Sequence, residues 1–234
     1  MAKKTKKVAA STKAEQNADQ LLSRTDRFLD KHLKSVIIGA SVIVVLVLAI
    51  IGIRHFYLIP QEKKAENAIF VAEQHFAAKE WNMALHGDSI GNTGFLDVID
   101  SYGSTTTGNL AKAYAGICYY HLGEPESALN QLKKYKQKEQ LIGGTVSGLI
   151  GDCYADLGKV SEAAKQFIKT ANEMNNEVLS PIYLKKAADA YNSLGEYKNA
   201  LDALTQIEDK YPASSEGRNI EKEIIRVKEL SNQK

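Results

Sequence analysis

Hydrophobic and polar positions follow two regimes along this chain of 234 residues. Residues 36–53 read VIIGASVIVVLVLAIIGI, eighteen positions without a charge. As a helix rising ~1.5 Å per residue they span about 27 Å, close to the ~30 Å hydrocarbon core of a bilayer. Beyond Pro60 the pattern changes. Apolar residues there recur every three or four positions between charged ones, no strand-like alternation persists, and only Pro125, Pro181 and Pro212 interrupt. This predicts one apolar helix of membrane-spanning length, ended by Pro60, followed by a run of amphipathic helices.

The apolar run has no polar face, which argues against a buried core helix. A cleaved signal has a shorter apolar stretch and small residues at the cut, whereas Ile-Arg-His-Phe-Tyr follows here. No cysteine lies near for a lipoprotein anchor. The expectation is a single uncleaved anchor with Phe56 and Tyr57 at the interface. Residues 1–34 hold nine Lys/Arg against four acids, while Arg54, Lys63 and Lys64 are the only basic residues just beyond. That asymmetry places the N-terminus in the cytoplasm and the body outside.

Self-comparison of the body, made before any choice of fold, finds three matching segments: 111–135 (AKAYAGICYYHLGEPESALNQLKKY), 146–170 (VSGLIGDCYADLGKVSEAAKQFIKT) and 183–207 (YLKKAADAYNSLGEYKNALDALTQI). Gly123, Gly158 and Gly195 mark equivalent turns. Seven residues earlier stand Gly116, Gly151 and Ala188, and four earlier Tyr119, Tyr154 and Tyr191. Five residues later come Ala128, Ala163 and Ala200, then Leu132, Phe167 and Leu204. The reading is a repeated helical hairpin: glycine turns the chain, small residues let the helices approach, and the large residues fill the space between units. A degenerate unit precedes them, with Val71, Ala72, Phe76, Trp81, Ala84 and Leu85 in frame and Lys79 where the glycine should be. Its second helix is broken by HGDSIGNTG (86–94) before FLDVIDSY resumes. After the third unit, 214–230 carries Ile220, Ile224 and Val227 opposite a charged face, as a terminal cap would.

This pattern resembles the tetratricopeptide repeat, and Tyr211-Pro212 closes the third unit as that family's terminal proline does. The family's early tryptophan is missing. The fold class expected is all-α: an N-terminal transmembrane helix, then a solenoid of helical hairpins with a C-terminal capping helix. The expected divisions are a basic, amphipathic head over 1–34, an anchor over 35–59, a degenerate unit over 61–109, three units over 110–212 and a cap with tail over 213–234.

Charge narrows the partners. The head is +5 and the whole chain +2, so residues 35–234 carry −3, and an acidic body does not seek phosphates. The KKTKK cluster fits topology and anionic headgroups better than nucleic acid. Leu21, Leu22, Phe28, Leu29 and Leu33 recur at helical spacing, predicting an amphipathic helix that lies on the inner leaflet or docks a partner. Cys118 and Cys153 share one repeat position, where helix packing predicts ~10 Å separation, too far for a disulfide. Two buried free thiols are expected. The five histidines have no metal-ligand spacing, and GxSxG, HExxH and P-loop motifs are absent. The loop around Asp88 lacks the alternating carboxylates of a calcium site and reads as a turn between two short helices. Neither an enzyme, a cofactor nor a small-molecule substrate is indicated.

The resemblance implies that the first helix of each hairpin lines a concave groove. Its places fall on Leu110, Ala113, Ile117, Tyr120 and His121, then on Thr145, Gly148, Asp152, Ala155 and Asp156, then on Ile182, Lys185, Asp189, Asn192 and Ser193. One end is apolar with an aromatic residue and the other acidic, which suits extended segments of apolar and basic character and repels acidic tails. The order of parts, with ADQLLSRTDRFLDKHLKS before the anchor, is similar to the bacterial ancillary subunit of the Sec translocon. That resemblance implies a protein beside the translocon that passes exported polypeptides to periplasmic chaperones. The alternative is a scaffold for an envelope assembly in division or cell-wall synthesis.

Overall fold

The structure is a computed structural model that describes residues 34–35, 37–136 and 140–233. The basic cluster and the amphipathic segment of the head lie outside the described residues. The chain forms two units, Met1–Pro60 and Gln61–Lys234, and the described parts are all helical.

In the first unit, helix α1 (37–53) exposes its Ile, Val and Leu side chains around the whole circumference. It lies within a helical stretch, Ile37–Ala77, whose most apolar window has a mean hydropathy of 2.7. By length and composition this helix can cross a membrane. Pro60 does not end it, contrary to the sequence expectation. A π-turn at Arg54–Leu58 precedes the proline, and the N–H of Ile59 reaches back five residues to the carbonyl of Arg54. The wider turn relieves the clash that a proline ring makes with the preceding turn of an α-helix, so the chain stays helical.

The second unit is built from α2 (Ile59–Ala77), α3 (Trp81–His86), α4 (Phe95–Tyr102), α5 (Thr106–His121), α6 (Pro125–Lys134), α7 (Gln140–Asp156), α8 (Val160–Met174), α9 (Leu179–Ser193), α10 (Tyr197–Lys210) and α11 (Ile220–Asn232). The pairs α5/α6, α7/α8 and α9/α10 are the three hairpins read from the sequence, and each packs on the next. Every hairpin turns in the same way. The N–H after each turn glycine bonds back five residues, Glu124 to Tyr119, Lys159 to Tyr154 and Glu196 to Tyr191, at 2.8–2.9 Å. The glycines themselves bond to Tyr120, Ala155 and Asn192, completing a Schellman turn with φ of +78°, +72° and +70°.

The degenerate unit makes the identical turn with Lys79 at φ +61°. Lys79 N–H meets the Phe76 carbonyl and Glu80 N–H the His75 carbonyl. A side chain in the left-handed region costs about 1–2 kcal/mol, partly offset by the lower chain entropy of a non-glycine residue. Lys79→Gly is therefore expected to stabilise the second unit by about 0.5–1 kcal/mol, raising its thermal midpoint by about 2–3 °C. A midpoint that stays put or falls would show that this turn stores no strain.

Small and large residues interlock between the helices of each hairpin. A Cβ at Gly116 would stand 2.5 Å from the Leu132 side chain, and one at Gly151 2.4 Å from the Phe167 ring. Ala188 and Leu204 share a core in the third hairpin. Ala128, Ala163 and Ala200 are fully buried. The tyrosines bridge successive cores: Tyr119 and Tyr154 each touch two clusters, as does Tyr191. Cys118 and Cys153 are free thiols buried in separate clusters.

Helix α11 packs Ile220, Ile224 and Val227 on the last hairpin. It starts later than residue 214, because the Ser214 hydroxyl accepts the Gly217 N–H at 2.9 Å and a short 3-10 turn, Gly217–Asn219, intervenes.

Candidate functional site

The first helices α2, α5, α7, α9 and α11 are tied to one another by polar contacts. Glu62 on α2 closes the open N-terminus of α5. Its carboxylate accepts the N–H groups of Thr106 and Thr107 and the Thr107 hydroxyl, each at 2.7 Å. Burial alone would raise the Glu62 pKa, but these bonds prevail and hold it below the usual range. Lys186 on α9 reaches Asp152 on α7 at 2.7 Å and lies over the Phe167 ring. Lys185 bonds Asp189 at 2.7 Å and Glu223 of α11 at 3.1 Å.

These contacts change the character of the predicted groove. Ala113 is only 2 % exposed and packs in the core with Ala128, Leu132, Val146 and Cys153, so it offers no surface to a ligand. Its small size serves the approach of neighbouring helices instead. Gly148 is buried too, because Tyr183 of the next hairpin covers it and a Cβ would stand 2.2 Å from the tyrosine oxygen. Leu110, Ile117, Tyr120, Asp152, Ile182, Lys185 and Asn192 are half-buried. His121, Thr145, Ala155, Asp156, Asp189 and Ser193 are exposed.

The acidic end is largely compensated. Asp152 is committed to Lys186 and Asp189 to Lys185. Asp156 makes no ion pair among the described residues and instead faces Tyr120. Burial pushes the Tyr120 hydroxyl up to about 12, and the carboxylates of Asp156 and Asp152 push in the same direction. At the other end His121 stacks on Trp81 with ring centroids 4.3 Å apart and planes 11° off parallel. The Asn192 Oδ1 is buried without a hydrogen-bond partner among the described residues.

Sequence reasoning missed Lys186, Glu223, Glu62 and Trp81 as groups that shape this face. Lys186 sits beside the chosen Lys185, and only the packing of α9 on α7 decides which lysine meets Asp152. Burial pushes the Cys118 thiol up to about 12 and the Cys153 thiol to about 11, which leaves both protonated and unreactive at neutral pH. Among the described residues no three His, Cys, Asp or Glu side chains gather to hold a metal ion.

A tetratricopeptide repeat family model matches residues 184–214. The chain contains a tetratricopeptide repeat. The match runs from Leu184 on α9 through α10 to Tyr211-Pro212, Ala213 and Ser214, the third hairpin of the stack. Repeats of this kind are typically non-catalytic modules for protein–protein interaction. A comparison with curated proteins finds no match.

Proposed function

We propose that this protein is a membrane-anchored interaction module that binds extended protein segments along the face made by its first helices. The observation that carries the reading is the joining of a bilayer-length apolar helix to a repeat whose first helices leave Leu110, Ile117, Tyr120, His121 and Asp156 open to a ligand. Leu110, Ile117 and Tyr120 supply apolar contact and Asp156 an uncompensated charge. Segments with apolar and basic residues suit this set.

The lysine asymmetry supports an N-terminus in the cytoplasm and a repeat domain on the outer side of a bacterial inner membrane. In that setting the role is ancillary to the Sec translocon, receiving exported chains and passing them to periplasmic chaperones.

A photo-crosslinking residue in place of Tyr120, activated in native membranes, tests this. Capture of many newly exported chains together with translocon subunits is the expected result. A single stoichiometric envelope protein without translocon would overturn the handover role and favour a scaffold. Asp156→Lys is expected to weaken binding of a basic extended peptide by about three- to tenfold, the effect of reversing one exposed charge. Unchanged affinity would place the ligand elsewhere.

A further inference from the structure

The inserted loop between α3 and α4 is held by polar contacts, since its tip residue Ile90 is 87 % exposed. Asp88 organises it. Its Oδ1 accepts the N–H groups of Ile90 and Asn92 at 3.1 and 3.0 Å, and its Oδ2 accepts the Asn92 side chain at 2.7 Å. The Thr93 hydroxyl donates to the Ala68 carbonyl of α2, and Gly94 N–H donates to Asp97 of α4.

One more contact joins the loop to α2. His75 stands between two carboxylates from different places: its Nδ1 is 2.6 Å from Glu80 Oε2 in the α2–α3 turn, and its Nε2 is 3.5 Å from Asp88 Oδ2 in the loop. A neutral imidazole carries a single N–H and can serve only one of them. Its other nitrogen then turns a lone pair toward the remaining carboxylate. An imidazolium satisfies both.

We propose that His75 is a proton-operated clip, which when charged fastens the 87–94 loop to α2 and to the α2–α3 turn, and when neutral lets the loop go. Glu80 and Asp88 are the charged groups acting on it. Asp97 of α4 is engaged with the Gly94 N–H. From α5, Tyr114 packs on Phe76 and His121 on Trp81. On α2 itself, burial raises the pKa of Glu73. The hydrogen bond to Glu80 raises the His75 pKa; partial burial opposes this, and Asp88 adds to it. A histidine whose folded pKa lies above its unfolded value near ~6.5 stabilises fully below that pH, and the contribution is lost as pH rises through the folded value. The loop is therefore clipped below the ordinary histidine range and released as pH rises through the raised His75 value.

The test uses the full-length protein in detergent micelles or nanodiscs. Histidine ring resonances are followed by NMR from pH 5 to 9, with His75 assigned by comparison with His75→Gln. Amide exchange of Ile90 and Asn92 is measured across the same range and corrected for intrinsic rates. The expected result is a His75 pKa above 6.5, with loop protection falling as pH passes through it, about tenfold for each unit of the part of that elevation that Asp88, the loop's own carboxylate, contributes. His75→Gln is expected to abolish the pH step while the exchange of α9 and α10 stays unchanged. A wild-type His75 titrating at or below 6.5 would overturn the clip, as would a pH step that survives in His75→Gln. The wild-type titration stands whether or not the variant folds.

Discussion

Phe167→Ala is expected to cost the repeat unit about 3–5 kcal/mol, the usual range for deleting a buried aromatic ring. The ring is 3 % exposed, lies against Gly151, stacks near Tyr183 and carries Lys186 above it. Removing it opens a cavity and strips the apolar support from the Lys186–Asp152 pair at once. Gly151→Ala, which adds a single methyl 2.4 Å from the same ring, is expected to cost about 1–3 kcal/mol by overpacking. The two changes should not add. With the ring gone the methyl fits, so the double variant is expected near Phe167→Ala alone. Chemical denaturation of the four proteins measures this, and simple additivity would show that Gly151 and Phe167 are not the interlocking pair the geometry describes.

The second large effect concerns the apolar helix. Residues 36–53 contain thirteen Val, Ile and Leu residues, worth about 4–8 kcal/mol of insertion at ~0.3–0.6 each. Val44→Arg with Leu48→Arg places two charges near the middle of the run, at ~2.5–3.5 kcal/mol apiece. The balance then falls close to zero or turns unfavourable. The double variant is expected to leave carbonate-washed membranes for the soluble fraction, while Val44→Leu stays. Retention of the double-arginine protein in the washed membrane would mean that something other than this helix attaches the chain.

The legible parts of the fold were those that repeat. A turn glycine, a tyrosine four residues before it and an alanine five after it recur three times, and each recurrence carries a physical requirement that the structure meets with the same hydrogen bonds. Lys79 was legible as a turn without its glycine because the surrounding frame was intact. Pro60 misled, since the sequence shows the missing donor but not the π-turn that accommodates it. The face of the first helices was read less well, for a related reason. Helical spacing says which side of a helix a residue takes, but the partner across the gap depends on how adjacent helices slide and tilt. Ala113 and Gly148 fall on the chosen side and are nevertheless covered by neighbours. Asp152 and Asp189 look like free charge in the sequence and meet lysines in the structure.

In the second unit the helices from α4 onward pack mainly on the helix before and the helix after, while α2 and α3 both reach α5. Closing such contacts requires only short loops, whose entropic cost grows slowly with length, so the search for the native arrangement is brief. The order of assembly also follows the order of synthesis. A hairpin finds its docking surface in residues already made, and nothing in the C-terminal half is needed to begin. An emerging chain can therefore lock its hairpins one after another, with α11 closing the stack as the last residues arrive.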